Sequence, residues 1–106
     1  MATDWAADVK KYAPSADDAV IAKMVSTYRL VLSKPDTATV AFSDPAEVER
    51  VKVNFLRKKL GLTQSDEELD AAIAAVGEQL KGVNHKSRAT VYYLLADKFG
   101  KLDVFA

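Results

Sequence analysis

The chain is 106 residues long, 49% apolar, and carries four glycines, three prolines and no cysteine. That suits one ordinary domain with a single core, and it excludes disordered and collagen-like classes, disulfides, thiolate zinc sites and cysteine nucleophiles. Fifteen basic and fifteen acidic residues cancel, which counts against a dedicated nucleic-acid binder, because phosphate neutralisation supplies most of such a protein's affinity.

The opening MATDWAADVKKY places charges where a signal peptide needs an unbroken apolar core, and no apolar run is long enough to span a membrane. A cytoplasmic protein with no membrane partner is expected. Thr3 or Asp4 caps a first short helix to about Tyr12, with Trp5, Val9 and Tyr12 on one face. Trp5 reads as an apolar anchor for that helix, and Pro14 stops it. Ser15 and Asp18 then form an S-x-x-D cap pattern for a second helix over about 16–32. Its Val20, Ile21, Met24, Val25, Tyr28, Val31 and Leu32 fill an arc of about 140°, a core-facing surface.

Lys34-Pro35-Asp36 breaks that pattern. The β-branched stretch TATVAF (37–42) resembles a strand, but no second run in the chain offers it a partner. It is read as an extended loop that crosses the bundle, with Val40 and Phe42 plugging the core.

Asp44 at N-cap, Pro45 at N1 and Glu47 at N3 start a third helix running to Leu60, which Gly61 ends. Its apolar face is odd. Val48, Val51, Phe55 and Leu62 lie on one arc, Val53, Leu56 and Leu60 on another, and Lys52 and Lys59 project between them. A snorkelling lysine, stem on the core and ammonium in water, is the expected role there. Ser65 and Glu68 make a capping box for a fourth helix with a stripe of Leu69, Ala72, Ile73, Val76, Leu80 and Val83, ended by Gly82. Residues 50–59 hold five basic and no acidic residues, and 61–80 five acidic and no basic ones. Both blocks complement their helix ends and attract across the short 61–64 turn. Neither needs a ligand.

Asn84 or Ser87 caps a fifth helix. Val91, Leu94 and Leu95 are its core stripe, widened by Tyr92 and Phe99; Gly100 closes it, and Leu102, Val104 and Phe105 dock back as a tail. Its first turn breaks a rule the other helix ends obey. His85, Lys86 and Arg88 put cations where the helix dipole is already positive.

Catalytic and metal chemistry find no setting. One histidine, no nucleophile elbow, no calcium or zinc ligand spacing and no glycine-rich phosphate loop point to a non-enzymatic protein without cofactor or metal. The misfit turn is the candidate anion site: His85, Lys86, Ser87, Arg88 and Thr90 surround free backbone N–H groups. The competing explanation is that Arg88 pairs with a carboxylate from a neighbouring helix. A sharper version makes helices four and five a helix-turn-helix joined at Lys81–Asn84, opposed by zero net charge and an acidic first helix. Leu30 and Tyr93 leave their helices' core arcs and form a candidate surface for a homodimer or protein partner.

Three blocks, DVKKYAPSADDAV (8–20), SDPAEVERVKVNFLRKKLGL (43–62) and HKSRATVYYLLADKFGKL (85–102), resemble a family of roughly hundred-residue bacterial proteins classed as a domain of unknown function. The likeness spans nearly the whole chain. It implies a small bacterial cytosolic protein and carries no site residue across. The fold expected is all-α: one domain over 1–106, a bundle of four main helices plus a short N-terminal one. The function expected is a binding or protein-interaction module, with an anion or nucleic-acid binder using residues 84–90 as the alternative.

Overall fold

The computed structural model describes residues 5–83 and 86–105, with the backbone alone at 35 and 36. The fold is all-α. Helix α1 spans Trp5–Tyr12, α2 Asp18–Thr27, α3 Arg29–Leu32, α4 Pro35–Ala38 and α5 Pro45–Arg50. A π-helical segment, Val51–Lys59, continues α5; α6 spans Asp66–Gln79, α7 Arg88–Lys98, and a 3₁₀ turn covers Leu102–Phe105. Among the described residues no strand forms, and no helix is long and apolar enough to cross a membrane.

The centre of the molecule is α7. Nine consecutive residues, Arg88 to Ala96, are buried, so this helix is covered on every side rather than along one stripe. It packs on α1, α2, α4, α6, the π segment and the 3₁₀ turn. Tyr93, expected outside, is buried as well. The backbone of Asp17, the residue that caps α2, meets its hydroxyl. The expected exposed pair therefore reduces to Leu30, which is 74% exposed.

Three boundaries differ from expectation for local reasons. Helix α2 begins at Asp18 because Asp17, not Ser15, caps it, accepting from the Ala19 N–H at 2.8 Å. The expected single helix 16–32 breaks at Tyr28, whose ψ of 20 leaves the helical region. The 34–43 connection is partly helical, since Pro35 at N1 starts the single turn α4. Its remaining backbone does find a partner. Thr39 forms one antiparallel bridge with Ser87, and the Val40 N–H donates to the Lys86 carbonyl at 2.9 Å. Val40 is buried and Phe42 packs on the core edge, as expected.

The π segment explains the odd face of the third helix. Turning 100° per residue, Val51, Lys52, Phe55, Leu56 and Leu60 would spread over roughly 180°. Closure through i→i+5 bonds, at about 4.4 residues per turn, gathers the same residues into roughly 115°. All five are buried, and the Leu60 N–H donates to the Phe55 carbonyl at 2.9 Å. Gly61, at φ +68, ends the segment as expected. Lys52 is only 6% exposed, and its ammonium does not end in open water. It meets Glu49 at 3.0 Å, Asp70 at 3.2 Å and Asp66 at 3.9 Å, while Arg57 bonds Asp66. The turn between the third and fourth helices is thus clamped by the expected opposed charges, with Lys52 paired rather than merely snorkelling.

Candidate functional site

The one buried ion pair with both partners inside the fold joins Arg88 of α7 to Glu47 of α5 among the described residues. Each side chain is about nine-tenths buried. Removing two charges from water costs several kcal/mol apiece, so such a pair persists only where its remaining hydrogen-bonding groups are also satisfied. Here they are. Arg88 Nε–H donates to the Thr37 carbonyl at 2.5 Å, one terminal nitrogen donates to the Tyr92 hydroxyl at 2.9 Å, and the other reaches the Thr39 carbonyl at 3.4 Å as well as Glu47. The carbonyls of Thr37 and Thr39 lie where α4 ends and the connection runs extended, so Arg88 supplies donors to backbone that a lone bridge leaves half-served.

Glu47 is held from two sides. Its second oxygen accepts from Arg50 Nε–H at 3.2 Å and from a terminal Arg50 nitrogen at 2.7 Å. Burial pushes its carboxyl up, but the hydrogen bonds and charges of Arg50 and Arg88 outweigh that and keep it below the usual glutamate range. Expected at N3 as part of its helix start, Glu47 turns inward in the fold as a counter-ion.

Beside the pair stands an aromatic stack. The rings of Phe55 and Tyr92 lie 3.9 Å apart and 7° from parallel, Tyr28 meets Tyr92 edge-on at 5.0 Å, and Phe105 of the tail closes on Phe55 at 6.3 Å. Burial pushes both the Tyr28 and Tyr92 hydroxyls up, and Arg88 pulls each of them partly back.

These groups form the wall of a cleft of about 550 Å³, within the ordinary range for small-molecule sites. Tyr28, Val31, Thr37 and Tyr92 give it an apolar side, Glu47 and Arg88 its charged floor, and the exposed Arg50 and Asn54 its rim. The Tyr28 hydroxyl makes no hydrogen bond with the described residues and is not sealed from solvent. Two other hollows lie elsewhere. One of about 410 Å³ is lined by Pro14, Gln79 and Lys98 among others; the other, of about 450 Å³, lies beside Phe42, Gly77 and Lys86. Neither contains a buried charge.

The residues expected to bind an anion are placed as follows. Ser87 caps α7, accepting from the Thr90 N–H at 3.4 Å, and Thr90 Oγ1–H donates to Asp8 of α1. Lys86 Nζ donates to the Val83 carbonyl at 2.8 Å and stands 5.9 Å from the centre of the Phe42 ring. Arg88 points the other way, into the cleft. His85 and Asn84 lie outside the described residues. Ser87, Arg88 and Thr90 are buried, so their side chains meet protein on the outer face of the turn. Sequence reasoning did not find Tyr28, Arg50 or Asn54; the only pointer was the misplaced charge of Arg88, which foretold a carboxylate without saying whose. No cluster of three acidic or histidine side chains among the described residues is placed to hold a metal ion.

The family model described as protein of unknown function (DUF2853) matches residues 4–103, and the chain belongs to that family. No curated protein matches the chain.

Proposed function

We propose that this member of the DUF2853 family is a non-enzymatic binding module that takes a small ligand in the cleft between Tyr28, Tyr92 and the Glu47–Arg88 pair. The observation that carries the reading is the largely buried Arg88–Glu47 pair at the floor of an otherwise largely apolar cleft. A pair of this kind adds little net stability, and fixed polar groups set in an apolar cleft are how small-molecule sites orient their ligands. Binding rather than catalysis is favoured because the cleft's ionisable groups are locked. Glu47 is held low by two arginines and both tyrosines are pushed up, so none is poised to exchange a proton near neutral pH.

The setting we propose is the bacterial cytoplasm, on the sequence resemblance alone. A homodimer or protein contact through Leu30 is the second reading, supported by the 74% exposure of that side chain. A single leucine is a small patch, which is why it ranks behind the cleft.

A backbone amide NMR titration tests the reading, using benzoate, phenol, phenyl phosphate and benzamidine as probes. Saturable shifts centred on Tyr28, Asn54, Arg88 and Tyr92 with any one probe are expected. No saturable shift at those residues up to about 10 mM, the weak end of fragment affinity, overturns it. A mass that rises with protein concentration and is restored to monomer by Leu30→Glu would favour the dimer instead.

A further inference from the structure

Resting on the cleft's being a ligand site, we infer that its ligand is a small monocarboxylate with an apolar body. Most of the groups left open in the cleft can donate, and the Asn54 amide at the rim offers both a donor and an acceptor. Arg88 has five N–H groups; one of those on the nitrogen facing Tyr92 is unused by the bonds to Thr37, Thr39, Tyr92 and Glu47. Tyr92 accepts from Arg88, leaving its own O–H to donate. The Tyr28 hydroxyl makes no hydrogen bond with the described residues, and Arg50 spends only its Nε–H and one terminal nitrogen on Glu47. The one carboxylate present, Glu47, already accepts from both arginines. A ligand must therefore bring acceptors.

Charge selects among acceptors. Two arginines against one glutamate leave the cleft a net single positive charge. A monoanion neutralises it. A phosphate dianion would be left with an unbalanced charge beside Glu47, and a cation would meet Arg50 and Arg88 head-on. The rings of Tyr28 and Tyr92 and the Val31 side chain give the remaining wall an apolar face that receives a ring or short chain.

The test ranks the four probes on the intact chain and on two rim variants. Arg50 and Asn54 are exposed, so Arg50→Gln and Asn54→Ala are expected to fold as the parent does. Benzoate should bind about tenfold or more tighter than phenol, the factor expected of a charge-assisted hydrogen bond. It should also exceed phenyl phosphate and benzamidine. Arg50→Gln, which abolishes the net charge, should lower benzoate affinity far more than phenol affinity and so erase most of the benzoate preference. Phenol binding the cleft as tightly as benzoate, or phenyl phosphate or benzamidine exceeding it, overturns the monocarboxylate class and leaves the cleft standing as a site. Silence from all four probes overturns the cleft and this inference together.

Discussion

Arg88 and Glu47, 41 residues apart in the chain, form a charge pair at the N-terminus of the central helix, each side chain about nine-tenths buried. A cation at that position is unfavourable by a few tenths of a kcal/mol in an isolated helix. The fold supplies the missing anions from elsewhere. Glu47 reaches in from α5, and Asp8 of α1 accepts from Thr90 in the same turn. The dipole rule holds here in space although it fails along the sequence.

The carboxylates of this arrangement give the protein an acid limit. Arg50 and Arg88 overcome the burial of Glu47 and keep its folded carboxyl below the ordinary glutamate value, about 4.3. Asp66 is likewise lowered, by its hydrogen bond from Arg57 and by the charge of Lys52. A group depressed on folding contributes stability that is complete above its unfolded pKa and is lost as pH falls through the folded one. Urea midpoints measured between about pH 2 and 6 should therefore drop steeply below the ordinary carboxylate range. Glu47→Gln should flatten that drop, even though the variant is less stable at neutral pH. An unchanged slope would place the acid sensitivity elsewhere.

The aromatic stack holds the cleft's wall in place. Phe55 is fully buried and touches Tyr28, Tyr92 and Phe105. Phe55→Ala should cost about 4 kcal/mol in urea unfolding, from lost transfer energy and the cavity left behind. A cost below about 1 kcal/mol would mean that the neighbouring rings collapse into the space.

Gly77 is a helical glycine with a neighbour. A Cβ there would stand 3.1 Å from a Phe42 ring carbon. Alanine gains about 1 kcal/mol over glycine in a helix, and Phe42 sits half-buried at the edge of an open hollow where it has room to tilt. Gly77→Ala is expected to stabilise the fold by about 0.5 kcal/mol after the ring's adjustment. Gly77→Leu, which must displace the ring, should destabilise it by about 1–3 kcal/mol. Thermal unfolding of the two variants, shifting in opposite directions, checks the contact.

Most of the fold was legible because its signals are local. Asp44 and Ser65 cap the helices they were expected to cap, Gly61 ends its helix in the left-handed region, and the Phe105 tail docks as its apolar pattern implies. Arg57 and Asp66 meet because four residues between two helix ends leave them no other course. The misses share one cause, which is distance along the chain. Tyr93 faces away from the stripe of its own helix, but it is buried, with its hydroxyl on the backbone of Asp17 much earlier in the chain. Along its own helix Lys52 reads as needing only water because two of its three carboxylates lie on the next helix, and the two-arc face of its own helix needed π winding to close into one. The cleft was the least visible feature. Tyr28, Arg50 and Tyr92 were each fully explained as a core, surface or stripe residue, and only the fold sets them around one hollow.

The pairing of Arg88 with Glu47 is tested most directly by a double-mutant cycle in urea, with Arg88→Met, Glu47→Leu and the two together. Each single change takes a partner from a buried charge and should cost about 3 kcal/mol, toward the low end for buried pairs because Arg50 still holds Glu47 and the cleft admits water on one side. The double variant removes both charges and should cost little more than either alone, a coupling of about 2 kcal/mol or greater. Costs that simply add, to within about 0.5 kcal/mol, would contradict the pairing and with it the charged floor on which the cleft depends.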